Sequence, residues 1–209
     1  MKKKLVVLLA ALMVFASTTT ALAAGSVTSG DLSKEESSIE NVADMSDAKA
    51  EELAEELVVS KEDITVSENV TEIKVEKVTA AVLKEAAKEA AEIIKEIPVA
   101  DDMKVTAAIA AVMDLDVTFT GEEVTLTIAV PEIKAGERVI VLHKNGNVWE
   151  EITNAVAGDG TVTATFGSFS PIAIVKVAAT SEKTGVVSVL PMIAAAGLVG
   201  AAVCGKKSK

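Results

Sequence analysis

The chain has 209 residues, half of them apolar, with no Tyr, one Trp, one His and one Cys. The stretch from Asp31 to Lys183 holds 14 basic and 31 acidic residues, a net charge of −17. A field of that sign repels phosphate, which excludes nucleic acid and anionic lipid as partners. A lone His excludes a His-based metal cluster, and a lone Cys excludes a disulfide within the chain.

The N-terminus reads as a secretory signal peptide. Lys2, Lys3 and Lys4 form its positive region, and Leu5 to Phe15 its 11-residue apolar region, too short to span a bilayer. Ala21-Leu22-Ala23 places small residues at the two positions that signal peptidase reads. Cleavage is expected between Ala23 and Ala24, making signal peptidase the first partner; the alternative is an uncleaved anchor.

Residues 24–45 read as a flexible acidic linker, with few apolar positions. A small α/β segment is expected over 46–100. Ser46 is placed as the cap of a helix through Leu57, with Ala48, Leu53 and Leu57 as its apolar positions. Ile64 to Val66 and Ile73 to Val78 alternate weakly, as short strands do. Val78 to Ile97 is an amphipathic helix, with Leu83, Ala86, Ala87, Ala90, Ile93, Ile94 and Ile97 at three- and four-residue steps. Pro98 stops it. Its polar face is not basic, so packing on the protein's own sheet is favoured over a membrane role.

After Asp101-Asp102 the period changes to two. All eight odd positions from Val105 to Phe119 are apolar, which predicts a strand. Strands follow over Val124–Val130, Val139–His143 and Val148–Ile152, the last two joined by a turn at Lys144-Asn145-Gly146. Asp159-Gly160 marks another turn. Val162, Ala164 and Phe166 alternate inward, and Ile172 to Val177 closes the set. The fold class expected is mainly β with helices. A C-terminal Ig-like β-sandwich of six or seven short strands over 101–178 follows the amphipathic helix, and terminal apolar helices lie at both ends.

A linker over 179–185 leads to Val186–Cys204, 19 residues without a charge, and to a basic tail over 205–209. At about 1.5 Å per residue the apolar run is roughly 28 Å long, close to a bilayer core. The trailing lysines would stay cytoplasmic.

This order resembles the sortase-type cell-wall sorting signal of Gram-positive bacteria: a short motif ending in Thr-Gly, then an apolar span, then a basic tail. The matching residues are Lys183, Thr184 and Gly185, while Ser181-Glu182 stands where Leu-Pro is usual. A Ser-Pro-Lys-Thr-Gly variant in some Firmicute surface proteins differs by one residue. A second resemblance covers about 75 residues, roughly Asp101 to Val177. Val141-Leu142-His143, Asn145-Gly146, Trp149-Glu150, the run from Gly158 to Phe166 and that from Phe169 to Val175 look like a β-sandwich module of Firmicute surface proteins. The resemblances imply a cell-surface location, with sortase and peptidoglycan as partners if Thr184 is transferred to the wall. A plain transmembrane anchor through Val186–Cys204 is the other option.

Candidate chemistry is thin. His143 as a general base would need a nucleophile beside it, and Ser168 and Ser170 are the hydroxyls considered. Asp114 and Asp116 share a strand face, with Asp101-Asp102 and Glu122-Glu123 nearby in sequence, but no calcium-loop spacing is present. A solvated acidic face is the simpler reading. Trp149 is either a contact ring for sugar or protein, and so the one candidate binding residue, or the main core aromatic. Asn69-Val70-Thr71 fits a glycosylation pattern that carries no information in a bacterial surface protein. No phosphate loop, CxxC or G-x-S-x-G appears, and no cofactor or metal is expected. The expectation is an exported, surface-anchored, non-enzymatic display protein of a Gram-positive bacterium. An adhesin-like module for host protein or glycan is the alternative, and a hydrolase a remote one.

Overall fold

The computed structural model describes residues 37–181 and the backbone of Val187 and Ser188. The signal-peptide site at Ala23 and Ala24, the motif Lys183-Thr184-Gly185 and both terminal apolar helices lie outside the described residues, save that Val187 and Ser188 form a short strand.

Three helices come early: α1 (Ile39–Asp44), α2 (Asp47–Leu57) and α3 (Ala80–Lys95). Among the described residues there are ten strands: β1 (Ile64–Val66), β2 (Val70–Glu76), β3 (Met103–Phe119), β4 (Val124–Ala129), β5 (Arg138–Asn145), β6 (Val148–Glu151), β7 (Val156–Gly158), β8 (Thr161–Phe166), β9 (Pro171–Ser181) and β10 (Val187–Ser188). They form two antiparallel sheets. The smaller runs β1-β4-β8-β7; the larger runs β2-β3-β9-β5-β6, with β10 on β9.

The layers follow from which faces are apolar. One core lies between the sheets and includes Met113, Leu115, Leu126, Ile128, Val141, Phe166 and Ile174. A second core lies on the other face of the larger sheet, where Ile109, Ile140, Leu142 and Val175 meet the three helices. The larger sheet is therefore buried on both faces along β5 and β9. That explains why Val139–Leu142 and Ile172–Val175 read as unbroken apolar runs rather than as alternation.

β3 crosses from one core to the other. Val105, Ala107 and Ile109 face the helices, whereas Ala111, Met113, Leu115, Val117 and Phe119 face the smaller sheet. The pairing with β9 slips at this point, Ile109 opposing Val175 and Ala111 opposing Ile174, so Ala110 is the extra residue of a β-bulge. One added residue inverts the facing of everything after it. The regular odd-position pattern thus feeds two cores, not the single face that uninterrupted alternation implies.

The helix over 80–95 is where its periodicity places it. The Thr79 hydroxyl accepts from Val82 N–H and caps it, and Leu83, Ala86, Ala87 and Ala90 are buried, small enough to let the helix lie close on the sheet. Two earlier expectations are corrected. Residues 38–45 are not linker: Ser38 caps α1, and Ile39 and Val42 are buried because the helical layer needs them to cover β3. Ser37 also accepts from Ile109 N–H through its carbonyl, which ties this segment to the open side of β3. In α2 the buried stripe is Ala50, Leu53 and Ala54, with Ala48 exposed, and Ser46 makes no side-chain cap.

No boundary separates 46–100 from 101–178. β1 pairs with β4 and β2 with β3, so the smaller segment supplies a strand to each sheet. The two sheets therefore begin at Ile64, not at residue 101.

Candidate functional site

The β5–β6 hairpin carries the residues that sequence singled out. Its turn is one residue later than expected. Asn145 pairs with Val148, so the two-residue loop is Gly146-Asn147, with φ +61° at Gly146 and no positive φ at Asn147. Glycine at the first loop position is the II′ pattern, which suits the twist of a tight hairpin. Trp149 lies opposite Lys144 and His143 opposite Glu150, so His143 faces the smaller sheet and Trp149 the helices.

His143 is 4% exposed. Phe166 stands edge-on to it at 6.3 Å, and Phe169 continues the aromatic cluster to Phe119. The Ser170 Oγ lies 3.0 Å from His143 Nε2, so the pair considered from sequence is formed, while Ser168 stays exposed. Ser170 also donates its hydroxyl proton to the Lys144 carbonyl. In the tautomer with its proton on Nε2 the ring donates to Ser170, and in the other tautomer it accepts. Burial pushes the imidazole below its ordinary range, and the nearby Glu150 charge offsets only part of that. The pair joins the start of β9 to β5.

Trp149 is 8% exposed and belongs to the core beneath the helices. Of its two expected roles it takes the core one, and a buried ring offers no platform to a ligand. Lys144 sits 5.9 Å from the ring centroid and pairs with Glu85 on α3, which fastens the helix to the hairpin. The Trp149 indole N–H is the only buried side-chain polar atom without a partner among the described residues.

Asp114 and Asp116 project from β3 beside Glu76 and Lys74 of β2, beyond the reach of the helices. Burial, then the Glu76 and Asp116 charges, push the Asp114 carboxyl up. Lys74 pairs with Glu72 at 3.5 Å and Asp116 at 3.6 Å, and their charges hold its amine up. Among the described residues no three His, Cys, Asp or Glu side chains converge to hold a metal. Asn69 is structural. Its amide donates to the Thr120 and Glu123 carbonyls at 2.7 and 2.9 Å, closing the β3–β4 turn on the β1–β2 connection.

Sequence reasoning did not find the Lys176–Glu137 pair. It spans 2.8 Å at one mouth of the sandwich, and Lys176 also donates to the Glu132 carbonyl at 2.7 Å. The available signal was a lysine at an inward position of an apolar strand, which demands a buried partner. Two open clefts accompany the helices. One of about 740 Å³ between α1 and α2 is acidic, through Glu40, Asp44, Glu52 and Glu56. One of about 430 Å³ lies among Ile94, Ile97, Val99 and Met103. Among the described residues no helix is long and apolar enough to cross a membrane. In comparison with known proteins, no family model, curated protein or solved structure matches this chain.

Proposed function

We propose that the protein is an exported, surface-anchored, non-enzymatic display protein of a Gram-positive bacterium. The observation that carries the reading is the order of features that follows β9: Lys183-Thr184-Gly185, then 19 uncharged residues, then three lysines. The basic and apolar N-terminus ending at Ala23 supplies the export half. Retention is through the membrane span, or through sortase transfer of Thr184 to peptidoglycan.

The fold suits a chain held by its C-terminus. β9 pairs with β3 from Pro171 to Ser181 and with β5 from Ile172 to Val177. Antiparallel hydrogen bonds lie across the strands. A pull along β9 therefore loads both ladders together instead of opening them one bond at a time. The two sheets, with alternating inward residues and hairpin turns, are read as an Ig-like sandwich with a helical layer added to one face.

The test is mass spectrometry of the C-terminal peptide from muramidase-released wall and from membranes. A peptide ending at Thr184 with a peptidoglycan fragment establishes sortase transfer. A chain intact to Lys209 and confined to the membrane establishes a permanent span and removes sortase as a partner. A chain found intact in the cytoplasm with its signal uncleaved overturns the whole reading.

A further inference from the structure

β9 runs on past the end of β5. Its last partner on β5 is Arg138, opposite Val177, while its pairing with β3 continues to Ser181. The edge that β5 leaves open beside Ala179 and Thr180 is filled by β10, with Val187 opposite Thr180 and Ser188 opposite Ala179. An unpaired edge is a template to which a chain adds. Yet Val187 and Ser188 are also the second and third residues of the uncharged run 186–204.

A strand and a membrane span make opposite demands on these two residues. In β10 their backbone groups bond across to β9. In a helical span they must bond within the helix, since the bilayer core offers no other partner. Length decides whether the two can coexist. With Val187 and Ser188 in β10, 189–204 remains, 16 residues or about 24 Å of helix against a core of about 30 Å. Direction worsens the shortfall. β10 is antiparallel to β9 and so heads back toward β5, where Arg138 already occupies the place beside Val177. A chain spanning from Ser188 must first turn away from the sheet, and a reverse turn uses about four residues. About 12 would be left, fewer than the roughly 17 that a span needs.

We propose that β10 and the membrane anchor are mutually exclusive states of the same residues: anchoring strips β10 from β9, and β10 forms only when the run lies outside the bilayer. The inference rests on the anchoring reading above and adds a conformational device to it. The bilayer drives the exchange because it takes up one state and not the other. The rest of the larger sheet tolerates it, because β9 keeps its ladders with β3 and β5. The β9 edge at Ala179 and Thr180 is paired in one state and open in the other.

The test is cross-linking in the full chain carrying Cys204→Ser and Thr180→Cys/Val187→Cys. Partners across an antiparallel ladder have Cα atoms about 4.5–5.5 Å apart, within disulfide reach. Oxidation yield is compared between this chain in phosphatidylcholine vesicles and the same chain with Ala195→Lys/Leu198→Lys, whose run is too polar to span. The lysine chain should form the disulfide about fivefold more completely. Amide exchange over 178–181 reads the same edge without added cysteines, and should be faster in the vesicle-bound native chain than in the lysine chain. The near-ultraviolet signal of Trp149 checks that each chain is folded. Equal yields and equal exchange, with the native run resisting carbonate extraction, would overturn this inference and leave the anchor standing. A native chain washed from the vesicles by carbonate would overturn the anchoring reading, and this inference with it.

Discussion

His143 Nε2 and the Ser170 hydroxyl lie 3.0 Å apart. The contact joins β9 to β5 at a point where the imidazole is buried. Its pKa is depressed in the fold by loss of water, so above about pH 6.5 the group is neutral folded or unfolded and contributes nothing. As pH falls through 6.5, the unfolded chain takes up the proton first and the fold loses stability. The loss stops growing once the folded imidazole is also protonated. Urea midpoints at pH 8 and pH 5 should fall further for the native chain than for His143→Gln; equal falls would mean that the imidazole is already hydrated. Ser170→Ala should cost about 1–3 kcal/mol by leaving the buried His143 Nε2 without its partner.

Asp114 carries the opposite sign. Its carboxyl is raised in the fold, by burial first and then by Glu76 and Asp116. Stability tied to its protonated form is present below the unfolded carboxylate range and lost as pH rises through the folded value. Asp114→Asn should therefore be more stable than the native chain at pH 7. The gain should vanish at low pH and shrink in high salt. A variant less stable than native at pH 7 would show that the charge is compensated there.

The bulge at Ala110 can be tested by length. Deleting Ala110 joins the Ile109–Val175 and Ala111–Ile174 pairs into one continuous register and keeps Ala111, Met113 and Leu115 facing the smaller sheet. The expected outcome is a chain that still unfolds cooperatively, followed by circular dichroism. Ala110→Gly keeps the residue count and should cost only about 0.5–1 kcal/mol. A deletion variant that loses cooperative unfolding would mean that the bend made by the bulge is needed to serve both cores.

Trp149 combines a large buried ring with an unpartnered N–H. Trp149→Phe loses volume but also removes that polar group, so it should cost less than about 1.5 kcal/mol. Trp149→Ala should cost about 3–5 kcal/mol. Emission from Trp149 should be blue-shifted in the fold and move to the red on unfolding. Denaturation followed by far-ultraviolet circular dichroism compares the two variants.

Lys176 and Glu137 retain only 23% and 12% side-chain exposure. Removing one leaves the other partly buried and unpaired. A double-mutant cycle with Lys176→Met and Glu137→Gln should give a coupling of about 1–3 kcal/mol, less than that of a fully buried pair. Additive single effects would show that water, not the partner, satisfies each group.

The local grammar of this protein was legible in its sequence. Alanine and isoleucine spacing located α3, alternation located β3, β4 and β8, and glycine-containing turns located two hairpins. These are decided by a few neighbours along the chain, so the chain alone suffices. What the tertiary structure decided is where those elements face. The alternation of β3 carries no mark of the bulge, because Ala110 is as small and apolar as its neighbours; only pairing with β9 shows it. The helical role of Ile39 and Val42 arises from a bare sheet face distant in sequence. His143 and Ser170 were visible as two residue types, but their meeting was not, because it depends on the pairing of β9 with β5. The outward threonines Thr65, Thr125, Thr127, Thr161, Thr163 and Thr165 have the same origin: on three short strands they signify nothing until antiparallel pairing places them on one surface.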